Sequence, residues 1–261
     1  MQSHDDIIRT AFTRQADYIS TSPAFVAQER IDLVMELARA GGGATTLLDQ
    51  AHVLDVACGA GIVAVALAKQ AAQVTGVDLT PAVLEKAEAL ATESGVTNTE
   101  FVLGDARTLP SDDDAFDLVT CTSAFHHFDE PAQVVTEIAR VLKSGGAFCA
   151  LDITTPEVPA SRERHQEMER LRDPSHTTNL TPSAWRRLAH SAGLRVTLMG
   201  VVPSHRDLEE WLTICPEEDK DRVRALFQRD IEEGRSGLNV RREGGPILFT
   251  HPMLLLRAEK P

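Results

Sequence analysis

The sequence is short of aromatic residues and of positive charge. Of its 261 residues one is tyrosine and two are tryptophan, and aromatic residues make up 5%. Lys and Arg number 26 against 39 Asp and Glu, which leaves a net charge of −13. Phosphate backbones are bound by clustered basic residues, so nucleic acid is not an expected partner. No run approaches the roughly 18 apolar residues of a membrane span. The four cysteines, Cys58, Cys121, Cys149 and Cys215, form no Cys-x-x-Cys pair, so neither a metal centre nor a disulfide framework is expected. Three of them fall in or beside expected strands, where a cysteine is usually a small buried apolar residue. Residues 1–6 have neither the basic nor the apolar segment of a secretory leader. Together these absences predict a reducing, cytoplasmic setting.

What is present is ordinary for a globular chain: 43% apolar and 25% charged residues, with room for one α/β domain and an elaboration. Between residues 50 and 153, short apolar runs alternate with amphipathic helical patterns. Residues 52–57, 73–78, 100–104, 116–122 and 147–153 read as five strands. Helices are expected over 61–70, over 80–94 with Thr80 as cap and Pro81 in the first turn, and from Pro131 onward. In the last of these, Val134, Val135, Ile138, Val141 and Leu142 form one core-facing stripe. The strands are continuous apolar runs, the pattern of a parallel sheet covered by helices on both faces. Right-handed crossovers then give a doubly wound, Rossmann-like sheet with ligands at the carboxyl ends of its strands. Residues 5–40 read as helical. Further on come a helix over 182–192, a sixth strand over 194–202, helix over 205–233 broken at Pro216, and a final strand over 247–257. The expected division is an N-terminal helical lid (1–45), a ligand-binding core (46–153) and a part that completes the sheet (154–261). Excursions at 154–180 and 203–245 are expected to cap the active site.

The segment Asp55-Val56-Ala57-Cys58-Gly59-Ala60-Gly61 joins the first strand to its helix. Gly59 and Gly61 open backbone conformations closed to other residues and let a ligand approach the main chain. Free N–H groups at the helix start can meet polar or anionic atoms. By itself this turn also satisfies the dinucleotide fingerprint, and a tight structural turn would look the same. Asp78 ends the second strand 19 positions after Gly59, where a carboxylate accepts two ribose hydroxyls. NAD and S-adenosylmethionine (SAM) share that ribose. Asp55 would repel a pyrophosphate, but would attract the ammonium of a methionine moiety, directly or through water. Asp105, in Leu103-Gly104-Asp105-Ala106, can take the exocyclic amine of adenine while the Ala106 N–H serves a ring nitrogen. Three acids ending successive strands suit a nucleoside that carries a cation.

The fourth strand ends in Thr122-Ser123-Ala124-Phe125-His126-His127-Phe128, beside the reactive end of such a ligand. Phe125 and Phe128 are expected to wall the transfer site. His126 and His127 are adjacent and point in different directions, so at most one of them is expected to face a substrate. His176, in Asp173-Pro174-Ser175-His176, rides on an excursion and is a third candidate.

The Asp55–Gly61 turn, Gly76-Val77-Asp78-Leu79, Gly104-Asp105-Ala106, Phe116-Asp117-Leu118-Val119 and Arg140-Val141-Leu142-Lys143-Ser144-Gly145-Gly146 resemble, in order and spacing, the successive motifs of class I SAM-dependent methyltransferases. The sequence is most similar to the small-molecule branch that contains the ubiquinone and menaquinone C-methyltransferases. Closer still are bacterial members with Ala124-Phe125-His126-His127-Phe128, the Leu171–His176 stretch and a terminal Leu248-Phe249-Thr250 strand. The resemblance implies a seven-stranded sheet whose last strand is antiparallel, and SAM as cofactor. It implies Asp55, Gly59 and Gly61 around the methionine part, Asp78 on the ribose, and Asp105 with Ala106 at adenine. Ala57, Leu79 and Thr122 complete the expected cofactor contacts. Phe12, Gln15 and Tyr18 match an N-terminal helix that folds over the cofactor in this branch. The quinone enzymes carry a different segment after the fourth strand, so the two histidines speak against a quinone acceptor.

Methyl transfer is an in-line displacement, and the enzyme mainly aligns the nucleophile and excludes water. A general base is needed only where the nucleophile carries a proton. His127 is the first candidate, with His126 and His176 behind it. The expected activity is methylation of a small molecule, and the polar excursions and few aromatics point to a metabolite of secondary metabolism. Two other classes share these features. One is a SAM-binding protein that does not methylate, acting as a cyclase, a decarboxylase or a regulatory binder. The other is an NAD-dependent oxidoreductase, against which stand Asp55 and the lack of a Tyr-x-x-x-Lys pair, Tyr18 being the single tyrosine.

Overall fold

The computed structural model describes residues 3–22, 26–40 and 48–261. The expected boundary near residue 45 lies outside the described residues. Five strands, β1 (His52–Val56), β2 (Gln73–Asp78), β3 (Thr99–Leu103), β4 (Phe116–Thr122) and β5 (Leu142–Ile153), pair in parallel in the order β3-β2-β1-β4-β5. Beyond them β6 (Arg195–Asp207) forms the sheet edge, and β8 (Ile247–Glu259) lies between β5 and β6, antiparallel to both. A two-residue strand, β7 (Arg241–Arg242), also pairs with β8 and makes the sheet eight-stranded. The doubly wound sheet and its antiparallel last strand are as expected, with β7 added.

Alternate residues of β1 serve two cores. Val53 packs with Leu67 and Met35 on one face, while Leu54 and Val56 pack with Ile138 and Trp185 on the other. The helices on these faces include α2 (Gln28–Arg39), α3 (Ile62–Ala68), α4 (Pro81–Glu93), α5 (Pro131–Val141) and α7 (Pro182–Ser191). On α5 the stripe Val134, Val135 and Ile138 is fully buried, and each such side chain contributes about 1.5–3 kcal/mol. Thr80 stands at the N-cap of α4, but its hydroxyl makes no capping bond. Asp78 takes the Thr80 N–H instead, at 2.9 Å. All four cysteines are buried and free.

The excursions carry a core of their own. The first is mainly α6 (Pro159–Arg172), and the second contains a short α8 (Leu208–Trp211) and α9 (Lys220–Glu233). Met168, Trp211, Phe227 and Phe249 pack together between them and β8. The second excursion begins later than expected because β6 continues to Asp207, pairing with β8 as far as Leu248. Pro203, just past the expected strand end at 202, stands on this edge strand opposite Pro252 and costs the sheet little. Among the described residues, no helix is long and apolar enough to cross a membrane.

Helix α1 (His4–Thr21) opens with a capping box. Asp6 N donates to Ser3 Oγ at 3.2 Å, and Ser3 N donates to Asp6 Oδ2 at 3.3 Å. Its inner residues Ala16 and Ile19 pack on Ala60 and Val83, so the helix lies over the turn that follows β1. The neighbouring strands β1 and β4 are reached by crossovers on opposite sides, and this leaves a crevice at their carboxyl ends.

Candidate active site

A cavity of about 1050 Å³ occupies that crevice, roofed by α1 residues Ile8, Phe12 and Ile19. Its floor is the β1 turn. Gly59 and Gly61 have φ of +52° and +76°, and Ala57 shares this left-handed backbone at φ +54°. A non-glycine residue there carries of order 1–2 kcal/mol of strain. The turn holds because it is bolted from beside: Gly59 N donates to Asp78 Oδ2 at 2.9 Å. Asp78 is 8% exposed, and burial pushes its pKa up even though the Thr80 and Gly59 N–H groups pull it down. Asp55 is 1% exposed and accepts from Thr120 Oγ1 at 2.7 Å. Burial drives its pKa to about 7, against the Thr120 hydrogen bond and helped by the nearby charge of Asp78.

Ala57, Gly59, Asp78, Leu79, Asp105, Ala106 and Thr122 all border this cavity, as does His127. Asp55 and Gly61 lie behind the turn and do not border it. Asp105 is already engaged: Arg107 Nε lies 3.0 Å from both of its carboxylate oxygens, and Arg107 Nη2 reaches Oδ2 at 2.7 Å. Burial raises the Asp105 pKa, but the Arg107 guanidinium outweighs it and holds the carboxylate low. Arg107 also binds Asp5 of α1 at 2.6 Å, which ties the roof to the rim. Sequence reasoning did not single out Arg107.

A second cavity of about 650 Å³ adjoins the first and shares Phe12, Ile19, Arg30, Ser123 and His127 with it. Arg30, Arg172 and Arg206 all line it, along with Gln15 of α1 and Asp173. Arg30 donates to Ser123 Oγ, and Ser123 has a left-handed φ of +50°. Burial lowers the Arg30 pKa to about 10.

His126 and His127 sit in a 3₁₀ turn, Phe125–His127. Their rings lie 4.1 Å apart and both border the second cavity, so adjacency does not turn one of them away. The cause is Asp152, an acid in the apolar strand β5. Its Oδ2 accepts from Ala124 N and Phe125 N at 2.9 and 2.7 Å, and its Oδ1 lies 2.6 Å from His126 Nδ1. Burial alone would lower the His126 pKa, but the Asp152 charge and hydrogen bond leave it raised. His127 has no such partner in line. Its Nδ1 stands 3.1 Å from Ser175 O and Ser175 Oγ, and burial followed by the charge of His126 takes its pKa down to about 4. An acid inside the run Phe148–Ile153 is the sequence signal that marks Asp152 in retrospect.

Other expected site residues lie further off. His176 borders neither cavity. It pairs with Gln166 Oε1 at 2.9 Å, and burial lowers its pKa to about 3. Tyr18 borders neither cavity and donates to Glu210 Oε1 at 2.9 Å, linking α1 to the second excursion. Phe125 packs on Trp185 in the core, with ring centroids 4.4 Å apart, and only Phe128 of the expected pair walls the first cavity.

The comparisons with known proteins agree with this layout. A family model described as a methyltransferase domain matches residues 54–150. The uncharacterised methyltransferase YcgJ of Bacillus subtilis is 33% identical over 202 residues, 77% of this chain and 74% of that protein. The crystal structure of YcgJ from Bacillus subtilis superposes with a TM-score of 0.80 at 29% identity, covering 89% of this chain and 98% of that one. A demethylmenaquinone methyltransferase of Clavibacter sepedonicus is 38% identical over 111 residues, 42% of this chain and 44% of that protein. With a likeness that covers 77% of the chain in sequence and 89% of it in structure, this chain belongs to the class I SAM-dependent methyltransferases, in the branch related to the ubiquinone and menaquinone enzymes.

Proposed function

We propose that this enzyme transfers the methyl group of SAM to a small-molecule acceptor held in the second cavity. The observation that carries the reading is the junction of the two cavities at Ser123 and His127, beneath helix α1. The first cavity suits SAM by its donor set. Two buried carboxylates, Asp55 and Asp78, have raised pKa values there, and a cationic ligand beside them offsets the cost of their charge. In this reading Asp78 takes the ribose hydroxyls. Ala106 N–H and Asp105 meet adenine at the rim. Gly59, Ala57, Leu79 and Thr122 shape the wall. Asp55 and Gly61 act from behind the turn, Asp55 by its charge and Gly61 by letting the chain bend, and Tyr18 holds the roof through Glu210.

The second cavity is lined by three arginines, which suits an acceptor with an anionic group. The expectation of a secondary metabolite belongs to this proposal and rests on composition. SAM supplies an electrophilic methyl whose sulfur departs as a neutral thioether, so the protein has to position the nucleophile and receive any proton it loses. His127, first choice from sequence, is a poor proton acceptor once burial has taken its pKa to about 4. His126 fits the role better: Asp152 orients its Nδ1 and raises its basicity, as a carboxylate does for a catalytic imidazole. His127 then serves as a neutral wall between the cavities, and His176 supports the first excursion through Gln166.

The test is incubation with methyl-labelled SAM and a panel of small acidic, neutral and basic metabolites. Label entering an acidic acceptor supports the proposal. An altered product without label sinks it in favour of a SAM-binding cyclase or decarboxylase.

A further inference from the structure

We propose that His165, Glu169 and His251 form a binding site for one divalent transition-metal ion of the zinc type. His165 and Glu169 are four residues apart on α6, so they share one helix face. His251 reaches the same point from β8. The three are 0%, 1% and 1% exposed.

Their ligating atoms, two imidazole nitrogens and a carboxylate oxygen, all lie within 4.8 Å of one another. Glu169 Oε1 stands 3.2 Å from His165 Nε2 and 2.9 Å from His251 Nε2. Ligands about 2.0–2.2 Å from a tetrahedral zinc stand roughly 3.3–3.6 Å from each other, so the two separations from Glu169 Oε1 need to open by well under about 1 Å to admit an ion.

Hydrogen bonding alone leaves this cluster incomplete. His165 Nε2 and His251 Nε2 converge on one carboxylate oxygen, Glu169 Oε1. Asn179 closes the fourth side. Its Nδ2 lies 3.4 Å from His165 Nε2, while its Oδ1 is buried with no partner. Turning that amide over brings a neutral oxygen donor to the cluster. Two imidazoles, a carboxylate and an amide oxygen favour zinc, cobalt or ferrous iron over magnesium or calcium.

The ring of His251 is held edge-on by Phe249, with centroids 4.8 Å apart, and by Trp211 at 5.7 Å. His251 also borders the second cavity. An ion bound here would tie the first excursion to the sheet and stand in the cavity wall. The site stands apart from the acceptor assignment, since binding of the ion requires no acceptor.

The experiment uses the full chain, stripped with a chelator and titrated with Co²⁺ followed by competition with Zn²⁺. One equivalent of Co²⁺ should bind with visible d–d bands of a nitrogen–oxygen site and be displaced by Zn²⁺, and Zn²⁺ should raise the melting temperature. Glu169→Gln and His251→Gln should each weaken Co²⁺ binding at least tenfold with the helical circular dichroism unchanged. Should either variant fail to fold, the wild-type spectrum still decides. No d–d bands, thiolate charge-transfer bands that place the ion on a cysteine, or affinity unchanged in both folded variants would each overturn the proposal.

Discussion

His126 Nδ1 lies 2.6 Å from Asp152 Oδ1, and this contact divides two neighbouring histidines into different chemical states. The pKa of His126 is raised, whereas that of His127 falls to about 4. The stability that His126 contributes is full below its ordinary pKa and is lost as pH rises through its folded one. Where a protonated nucleophile is used, kcat/KM should therefore climb with pH through an apparent pKa above 6.5. Asp152→Asn should move that pKa down and lower the rate, and, by breaking a buried pair, cost about 3–5 kcal/mol of stability. His127→Gln should leave the midpoint of the profile in place. A pH–rate series on the three proteins checks this, and a midpoint that follows His127 instead would reverse the assignment.

Asp55 makes a second prediction because its charge is costly without ligand. Its folded pKa, about 7, lies above the unfolded value near 3.8. The folded state thus carries no charge penalty from Asp55 below pH 4, and loses stability as pH rises through 7. Ligand-free Asp55→Asn should be more stable than wild type at pH 8, by up to about 4 kcal/mol, with the difference vanishing toward pH 4. SAM affinity should fall at least tenfold. Thermal denaturation across this range and calorimetric titration measure both, and equal stability at pH 8 would contradict the account.

Gly61 combines two constraints that can be separated. A Cβ there would stand 2.7 Å from Ala87 Cβ on a backbone with φ +76°, whereas Gly95 at φ +68° has open space around it. Gly95→Ala should cost only the conformational term, about 1–2 kcal/mol. Gly61→Ala should lose about 1–3 kcal/mol more through crowding and should weaken SAM binding. Urea denaturation of the pair reads the difference.

Arg107 joins Asp5 on the roof to Asp105 on the rim. Arg107→Ala should speed SAM dissociation about 3- to 10-fold, of order 1 kcal/mol as for a partly exposed ion pair, and alter kcat less. Salt should weaken SAM binding in the wild type more than in the variant, because these side chains are partly exposed. Stopped-flow displacement at two ionic strengths tests this, and identical off-rates would exclude a latch.

Much of the frame was legible because its signals are local. The runs in β1, β2 and β4 are apolar, the glycines of the Asp55–Gly61 turn meet a positive-φ requirement, and Asp78 lies at a strand end. Legibility faded where a residue's partner is distant in sequence. Asp152 reads as one acid in a strand until the chain folds it 2.6 Å from His126. Tyr18 and Phe12 look equivalent on α1, yet one faces Glu210 and the other the cavities. The extension of β6 through Pro203 depended on β8, a strand some fifty residues away.

The sequence by itself therefore determined the doubly wound sheet, the Asp55–Gly61 turn and the acids around it, since period, glycine and strand ends act over a few residues. Only the tertiary structure decided which histidine is basic, that Arg107 straddles roof and rim, and that His165, Glu169 and His251 converge. Desolvation and the charge of a neighbour set those properties, and neighbours exist only once β4, β5, β8 and the excursions are packed together.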